Sequence, residues 1–208
     1  MTPSTRAFRR SRLVCRLLLL KLLVLPALST ASFGQQAAAK PSLEVADWQE
    51  GFSRWTLSVQ VLGGVYFSPC LFGPATPTVN FASLDLRLGW MLGLPSKLWI
   101  LPRGNLQGLV ACSVDNIFEG HGSYLAGLTL LLRYNIVPEG WRLVPYLQIG
   151  VGVLYTDIHE CPEQCAIGQW REFVEHYSLG LRWLINPRWS IEAEAGYLHV
   201  SNADQAER

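Results

Sequence analysis

The sequence predicts an all-β protein: an antiparallel, eight-stranded outer-membrane β-barrel with seven strands visible and the last one missing. Three observations carry this. Half of the 208 residues are hydrophobic and only 16% are charged. Yet beyond the first 30 residues no apolar run reaches the roughly 20 residues that a membrane-spanning helix needs. The apolar residues are instead spread through seven long segments that alternate with period two. These run to about 13 residues each, against a usual strand of about 5–6. That length favours a membrane barrel over a soluble sandwich or a lipocalin-like barrel, whose strands also alternate.

The chain divides into three parts. Residues 1–34 read as a secretory signal. Arg6, Arg9, Arg10, Arg12 and Arg16 form its basic region, and the apolar stretch 17–28 is interrupted by Lys21 and Pro26. Cleavage after Ala31 or after Gly34 fits. The rival is an uncleaved anchor helix, which the short, broken run disfavours. Residues 35–50 form a flexible, Ala/Gln-rich leader, and 51–208 form the barrel, incomplete at its C-terminal end. Removing the five Arg and one Lys of 1–34 leaves 11 basic residues against 16 acids, a formal charge of −5. Such a surface has no basic patch for nucleic acid.

The strands are expected near 54–67, 79–92, 105–116, 123–136, 143–157, 173–186 and 189–202. In the fourth, Tyr124, Ala126, Leu128, Leu130, Leu132, Tyr134 and Ile136 share one face. Gly127, Thr129, Arg133 and Asn135 share the other. In the fifth, Leu143, Leu147, Ile149, Val151, Val153 and Tyr155 oppose Tyr146, Gln148, Gly150, Gly152 and Thr156. In the sixth, Phe173, Tyr177, Leu179, Leu181, Trp183 and Ile185 share a face on which Glu175 is the exception. Apolar/polar alternation of this length fits lipid outside and a polar interior, and Trp55, Trp90, Tyr124, Tyr155, Trp183 and Trp189 near segment ends fit aromatic girdles. Asp85, Arg87, Arg133, Arg182, Glu192 and Glu194 then fill the interior, and a barrel this small is packed by its side chains.

Connections at 137–142 and 186–188 are short, while those at 68–78 and 157–172 are long. Barrels of this kind have short periplasmic turns and long outer loops, so the first strand runs outward. The 93–104 connection is long for a periplasmic turn, and Trp99, Ile100 and Leu101 extend a strand there. Seven is an odd count for a single-chain bacterial barrel. An open edge in lipid costs several kcal/mol for each unsatisfied backbone group. The expectation is a sequence cut short, or a partner that supplies the eighth strand.

The seventh segment carries the candidate chemistry. Ile191, Ala193, Ala195, Tyr197, His199 and Ser201 share one face, which begins apolar and so meets lipid. His199 and Ser201 lie near its outer end, about 6.5 Å apart along the strand. A Ser hydroxyl beside an imidazole can act as nucleophile with a general base. On spacing alone His-x-Ser is a weak signal, and two polar residues where a strand leaves the membrane explain the pair better. His121, His159 and His176 read as loop or lumen residues. Cys161 and Cys165 are candidates for a small disulfide loop in an exported, oxidising setting. A metal reading of that loop lacks a fourth ligand beside His159, so no metal site is expected. Cys70 and Cys112 lie in separate segments, and their pairing is open.

The run Tyr197-Leu198-His199-Val200-Ser201-Asn202-Ala203 resembles the His-x-Ser-Asn signature of the lipid A 3-O-deacylase family. That resemblance implies an eight-stranded outer-membrane barrel whose lipid-facing Ser/His/Glu triad hydrolyses the ester at position 3 of lipid A. Ser201 would be the nucleophile, His199 the general base and Asn202 an oxyanion donor. No cofactor is implied, and the partner is lipopolysaccharide in the membrane. The family's acid lies on the strand after the serine. Asp204 and Glu207 are too close to the motif to match it, which leaves the third member unassigned. The alternative is a non-catalytic small barrel with a structural or adhesive role.

Overall fold

The computed structural model describes residues 17–22, 27–28, 31–33, 48–68, 78–98, 100–161, 163 and 167–201. Seven long strands dominate it: β1 (Leu57–Phe67), β2 (Val79–Met91), β3 (Leu101–Gly120), β4 (Tyr124–Ile136), β5 (Leu143–Thr156), β6 (Arg171–Leu184) and β7 (Ser190–Ser201). Each pairs antiparallel with its chain neighbour, an up-and-down meander. The segment Leu17–Leu22 lies between β7 and β1 and pairs antiparallel with both, as Leu18↔His199 and Lys21↔Tyr66 show. It takes the eighth place and closes the ring. The short stretches Ala27–Leu28 and Ala31–Phe33 add to β7 and β1.

The third strand is longer than its expected 105–116 because the 93–104 connection folds as a small hairpin. Ser96 pairs with Gly104 and Leu98 with Leu101. This accounts for the length of that connection on the short-turn side. The leader expected over 35–50 enters the described residues only at Trp48. There the chain already turns through a 3-10 segment, Glu50–Phe52, that seats Phe52 inside the adjacent barrel end.

Strand alternation separates the two faces cleanly. Outward positions are apolar and open, with Leu130 58% and Leu179 61% exposed. Exposed aromatics gather at the ends: Phe67, Phe118, Tyr124, Tyr155 and Trp170 at one rim, Trp55, Trp141, Trp183 and Trp189 at the other. Tyr155 stacks on Trp170 with ring centroids 5.3 Å apart.

The interior has three layers. At the end bearing the long loops, Tyr66, Phe81, Leu125, Leu154, Ile158, Val174, Leu198 and Val200 form an apolar plug. At the other end Phe52, Met91, Val137, Val144 and Leu184 form a second, with Trp48 against it. Between them lie the six charged residues expected in the lumen. Arg87 donates to Glu194 at 2.8 Å and to Asp85 at 2.8 Å. Arg133 donates to Glu192 at 3.0 Å and Arg182 to Glu192 at 2.7 Å. Tyr146 donates to Glu194 at 3.0 Å and lies under the Arg133 guanidinium, 3.9 Å from its ring centroid. Gly180 makes room for this, since a Cβ there would collide with the Tyr146 ring and hydroxyl.

Turns fix how the strands are offset. Asn186 Oδ1 accepts the backbone N–H groups of Arg188 at 2.8 Å and Trp189 at 2.9 Å, tightening the β6–β7 turn. The register that follows begins at Leu184↔Ser190 and runs unbroken to Phe173↔Ser201. At the opposite end Gly120 and Gly122 adopt positive φ of 116° and 84° in the β3–β4 turn, which favours glycine. Asp157 accepts the N–H groups of Ser123 and Tyr124. Burial disfavours its charge, but these hydrogen bonds outweigh that and hold its carboxyl below the usual range.

Removing one member of a buried charge network strands its partners at a cost of about 3–5 kcal/mol. Glu194→Ala is expected to lower the unfolding free energy by this order, measured by urea titration in detergent micelles. Glu160→Ala, in an exposed loop, should stay within about 0.5 kcal/mol of the parent. Equal urea midpoints for the two variants would show that the network does not hold the barrel.

Candidate active site

The arginines of the lumen settle which way β7 faces. Glu192 and Glu194 are fully buried against Arg182, Arg133 and Arg87. Residues of the same parity, Gly196, Leu198 and Val200, continue inward along the strand, with Leu198 and Val200 in the apolar plug. Ile191, Ala193, Ala195, Tyr197, His199 and Ser201 therefore point outward, since successive strand residues face opposite ways. His199 and Ser201 are half-buried at the end of the strand.

The two share a strand face two residues apart, as the sequence pattern predicts. Across the β6–β7 ladder, His199 stands directly opposite Glu175 and Ser201 opposite Phe173. Tyr197 stands opposite Tyr177, with ring centroids 6.3 Å apart. Glu175 is exposed, and Tyr177 donates its hydroxyl to Glu175 Oε2 at 3.2 Å. On the far side of β6, Glu175 meets Val151 and Phe173 meets Val153. The polar groups thus form a small island within an apolar, aromatic-edged surface. An imidazole flanked by a carboxylate across the ladder and a hydroxyl along the strand has the ingredients of acid–base-assisted acyl transfer.

The remaining expected residues fall elsewhere. Asn202 lies outside the described residues, as do Cys165 and Cys70. Cys161 has a free thiol in the loop after β5, and Cys112 has a free thiol on the outward face of β3. His159 sits in that same loop, where its Nδ1 lies 3.1 Å from the Thr156 carbonyl oxygen. His176 is buried in the lumen, with Nε2 3.6 Å from Glu194. His121 is in the β3–β4 turn. None of these three approaches the outward face of β7.

The sequence pattern marked Glu175 only as an exception on an apolar face. Its place opposite His199 is a matter of register, which period-two alternation does not specify. The signal that would have found it is the turn. Counting outward in step from the tight turn at Asn186 reaches Glu175 and His199 together.

The family model described as lipid A 3-O-deacylase (PagL) matches residues 83–208, which is more than half of the chain. No curated protein and no solved structure matches it. The matched stretch takes in β3 to β7 whole, and with them the His199/Ser201 surface, Glu175 and most of the lumen network. With an eight-stranded antiparallel ring around that network, the chain belongs to the lipid A 3-O-deacylase (PagL) family.

Proposed function

We propose that the protein is an outer-membrane serine esterase that removes the 3-O-linked acyl chain of lipid A, with Ser201 as nucleophile, His199 as general base and Asn202 as an oxyanion donor. One observation carries the reading. In a chain of this family, His199 and Ser201 sit side by side on the outward face of the barrel, at the end of β7. A soluble substrate has no reason to be met there. A lipid that diffuses within the membrane leaflet does.

The chemistry follows from the positions. His199 takes the Ser201 proton as Oγ attacks the ester carbonyl, giving a tetrahedral intermediate whose oxyanion accepts a hydrogen bond from Asn202. Donors of this kind are worth about 3–4 kcal/mol in a hydrolase. Collapse breaks the bond to the sugar oxygen, which leaves with the proton from His199. Water, activated by the same imidazole, then releases the fatty acid and restores Ser201. The apolar outward face of β6 and β7 offers the acyl chains a surface like the lipid they leave.

An outer-membrane location is supported by the exposed apolar belt between two aromatic rims. Export through residues 1–34 belongs to the same proposal. Removing them would vacate the place of Leu17–Leu22 and leave the edges of β1 and β7 to another strand.

Two measurements test these points. Lipid A extracted from cells carrying Ser201→Ala is expected to keep one hydroxyacyl chain that cells with the parent protein lack, read by mass spectrometry. Identical spectra, with the protein present in the outer membrane, would remove Ser201 as the nucleophile. For the membrane reading, Leu130→Arg at mid-strand should cost about 2–4 kcal/mol in lipid vesicles, and Tyr124→Arg at the rim about 0–1. Equal costs at the two depths would contradict a bilayer around the barrel.

A further inference from the structure

We propose that Arg171 binds the phosphate of the lipid A sugar ring whose 3-O ester is cut, so that the headgroup is held at the outer end of β6 while the ester lies at Ser201. The inference rests on the reading of Ser201 as the nucleophile.

Arg171 opens β6 and shares its outward face with Phe173, Tyr177 and Leu179. It is exposed, and among the described residues it has no hydrogen-bond or ion-pair partner. Most other cations are accounted for. Arg87, Arg133 and Arg182 lie in the lumen on carboxylates. At the short-turn end Arg103 reaches Glu139, while Arg54 and Arg142 lie over the Trp55 and Trp48 rings. Along the seven strands and the loops between them, Arg171 is the only Lys or Arg at the long-loop end among the described residues. The same end exposes Glu119, Glu160 and Glu163. A rim of that sign repels a polyanionic lipid surface, which leaves Arg171 as the point of attraction.

The register places that point beside the nucleophile. Ser201 stands opposite Phe173 on the β6–β7 ladder, and Arg171 is the next outward-facing residue of β6 toward the rim. It is therefore the diagonal neighbour of Ser201. Diagonal neighbours on one face lie about 7–8 Å apart, within reach of a long side chain. Lipid A is a phosphorylated glucosamine disaccharide, and the ring that carries the 3-O ester carries its phosphate at C1. Ester and phosphate thus flank a single sugar ring, the span between Ser201 and a guanidinium at Arg171. The depth also agrees: the acyl chains follow the apolar face of β6 inward, and Arg171 sits at the headgroup level. On its other side Arg171 pairs with Tyr155, which stacks on the exposed Trp170. These rings offer a flat face to the apolar side of a sugar.

In this arrangement two phosphate oxygens accept the parallel N–H groups of the guanidinium, a bidentate charge-assisted pair. A lipid free to slide and rotate in the leaflet is then fixed at its headgroup, with the 3-O carbonyl turned to the Ser201 hydroxyl. The phosphate keeps its charge throughout the reaction. The contact is therefore equally strong in the bound substrate and in the transition state. It acts on substrate binding and leaves the chemical step alone.

The test is steady-state deacylation by the full chain in neutral-detergent micelles, with lipid A and with lipid A that bears a hydroxyl in place of the C1 phosphate. The parent protein is expected to show a KM about 10-fold lower for the phosphorylated lipid, as a charge-assisted contact gives. Its kcat should agree between the two within about 3-fold. Arg171→Ala is expected to raise KM for the phosphorylated lipid to that of the other, and Arg171→Lys to recover part of the difference. A loss of fold would lower activity on both lipids alike, so the ratio between them reports the contact itself. An unchanged ratio in Arg171→Ala, or a preference that follows the phosphate of the second ring, would overturn the subsite and leave the Ser201 reading intact. Equal deacylation by the parent and Ser201→Ala would overturn the esterase reading. The subsite is then judged by isothermal titration of the Ser201→Ala protein with the same two lipids: an affinity ratio of about 10 that Arg171→Ala abolishes upholds it, and equal affinities overturn it too.

Discussion

Three arginines and three carboxylates enclosed in one barrel decide most of what this chain does. Arg87, Arg133 and Arg182 have nowhere to place their charge except on Asp85, Glu192 and Glu194. A buried ion left without its partner costs several kcal/mol, so each strand that contributes one is held to a single parity. A slip of one residue would turn an arginine into the apolar belt and a leucine into the lumen. The orientation of β7 is therefore set by Glu192 and Glu194, several residues before the residues of interest. His199 and Ser201 face outward because those glutamates face inward.

Around this network the fold is economical. Two apolar plugs seal the lumen, one built by the strands and the loop after β5, the other by Phe52 folding back from the residues before β1. The interior is thus filled, and the outer wall is the surface left for chemistry. Asn186 then aligns β6 with β7, bringing Glu175 to His199. Structure and site share one cause: the inner face is committed to holding the barrel together, and the outer face is free to bind.

Much of this was legible in the sequence. Alternation in 123–136, 143–157 and 173–186 located β4, β5 and β6 to within two residues, because a face split between lipid and lumen leaves a strong period-two record. The six lumen charges were legible for the same reason. The third strand was read too short, since its first residues pair with Ser96–Leu98 in a small hairpin that the alternation does not mark. Trp48 read as part of a leader, and Phe52 fell just ahead of the first expected strand, because isolated aromatics among small and polar residues give no periodic signal. Residues 17–22 are a case where one composition suits two uses: a leucine-rich run is as fit for export as for a strand between β1 and β7. The partner of His199 could not be read, because alternation reports the face of a residue and not its neighbour across the ladder.

The central claim, that Ser201 is a nucleophile activated by His199 on the outer wall, is tested most directly by covalent capture. The full chain in detergent micelles would be treated with a lipophilic fluorophosphonate and the modified peptide identified by mass spectrometry. The account predicts a single phosphonyl adduct on the peptide carrying Ser201, and its loss in His199→Ala. A preparation that deacylates lipid A while carrying the adduct on a different serine, or reacting equally well without His199, would contradict it.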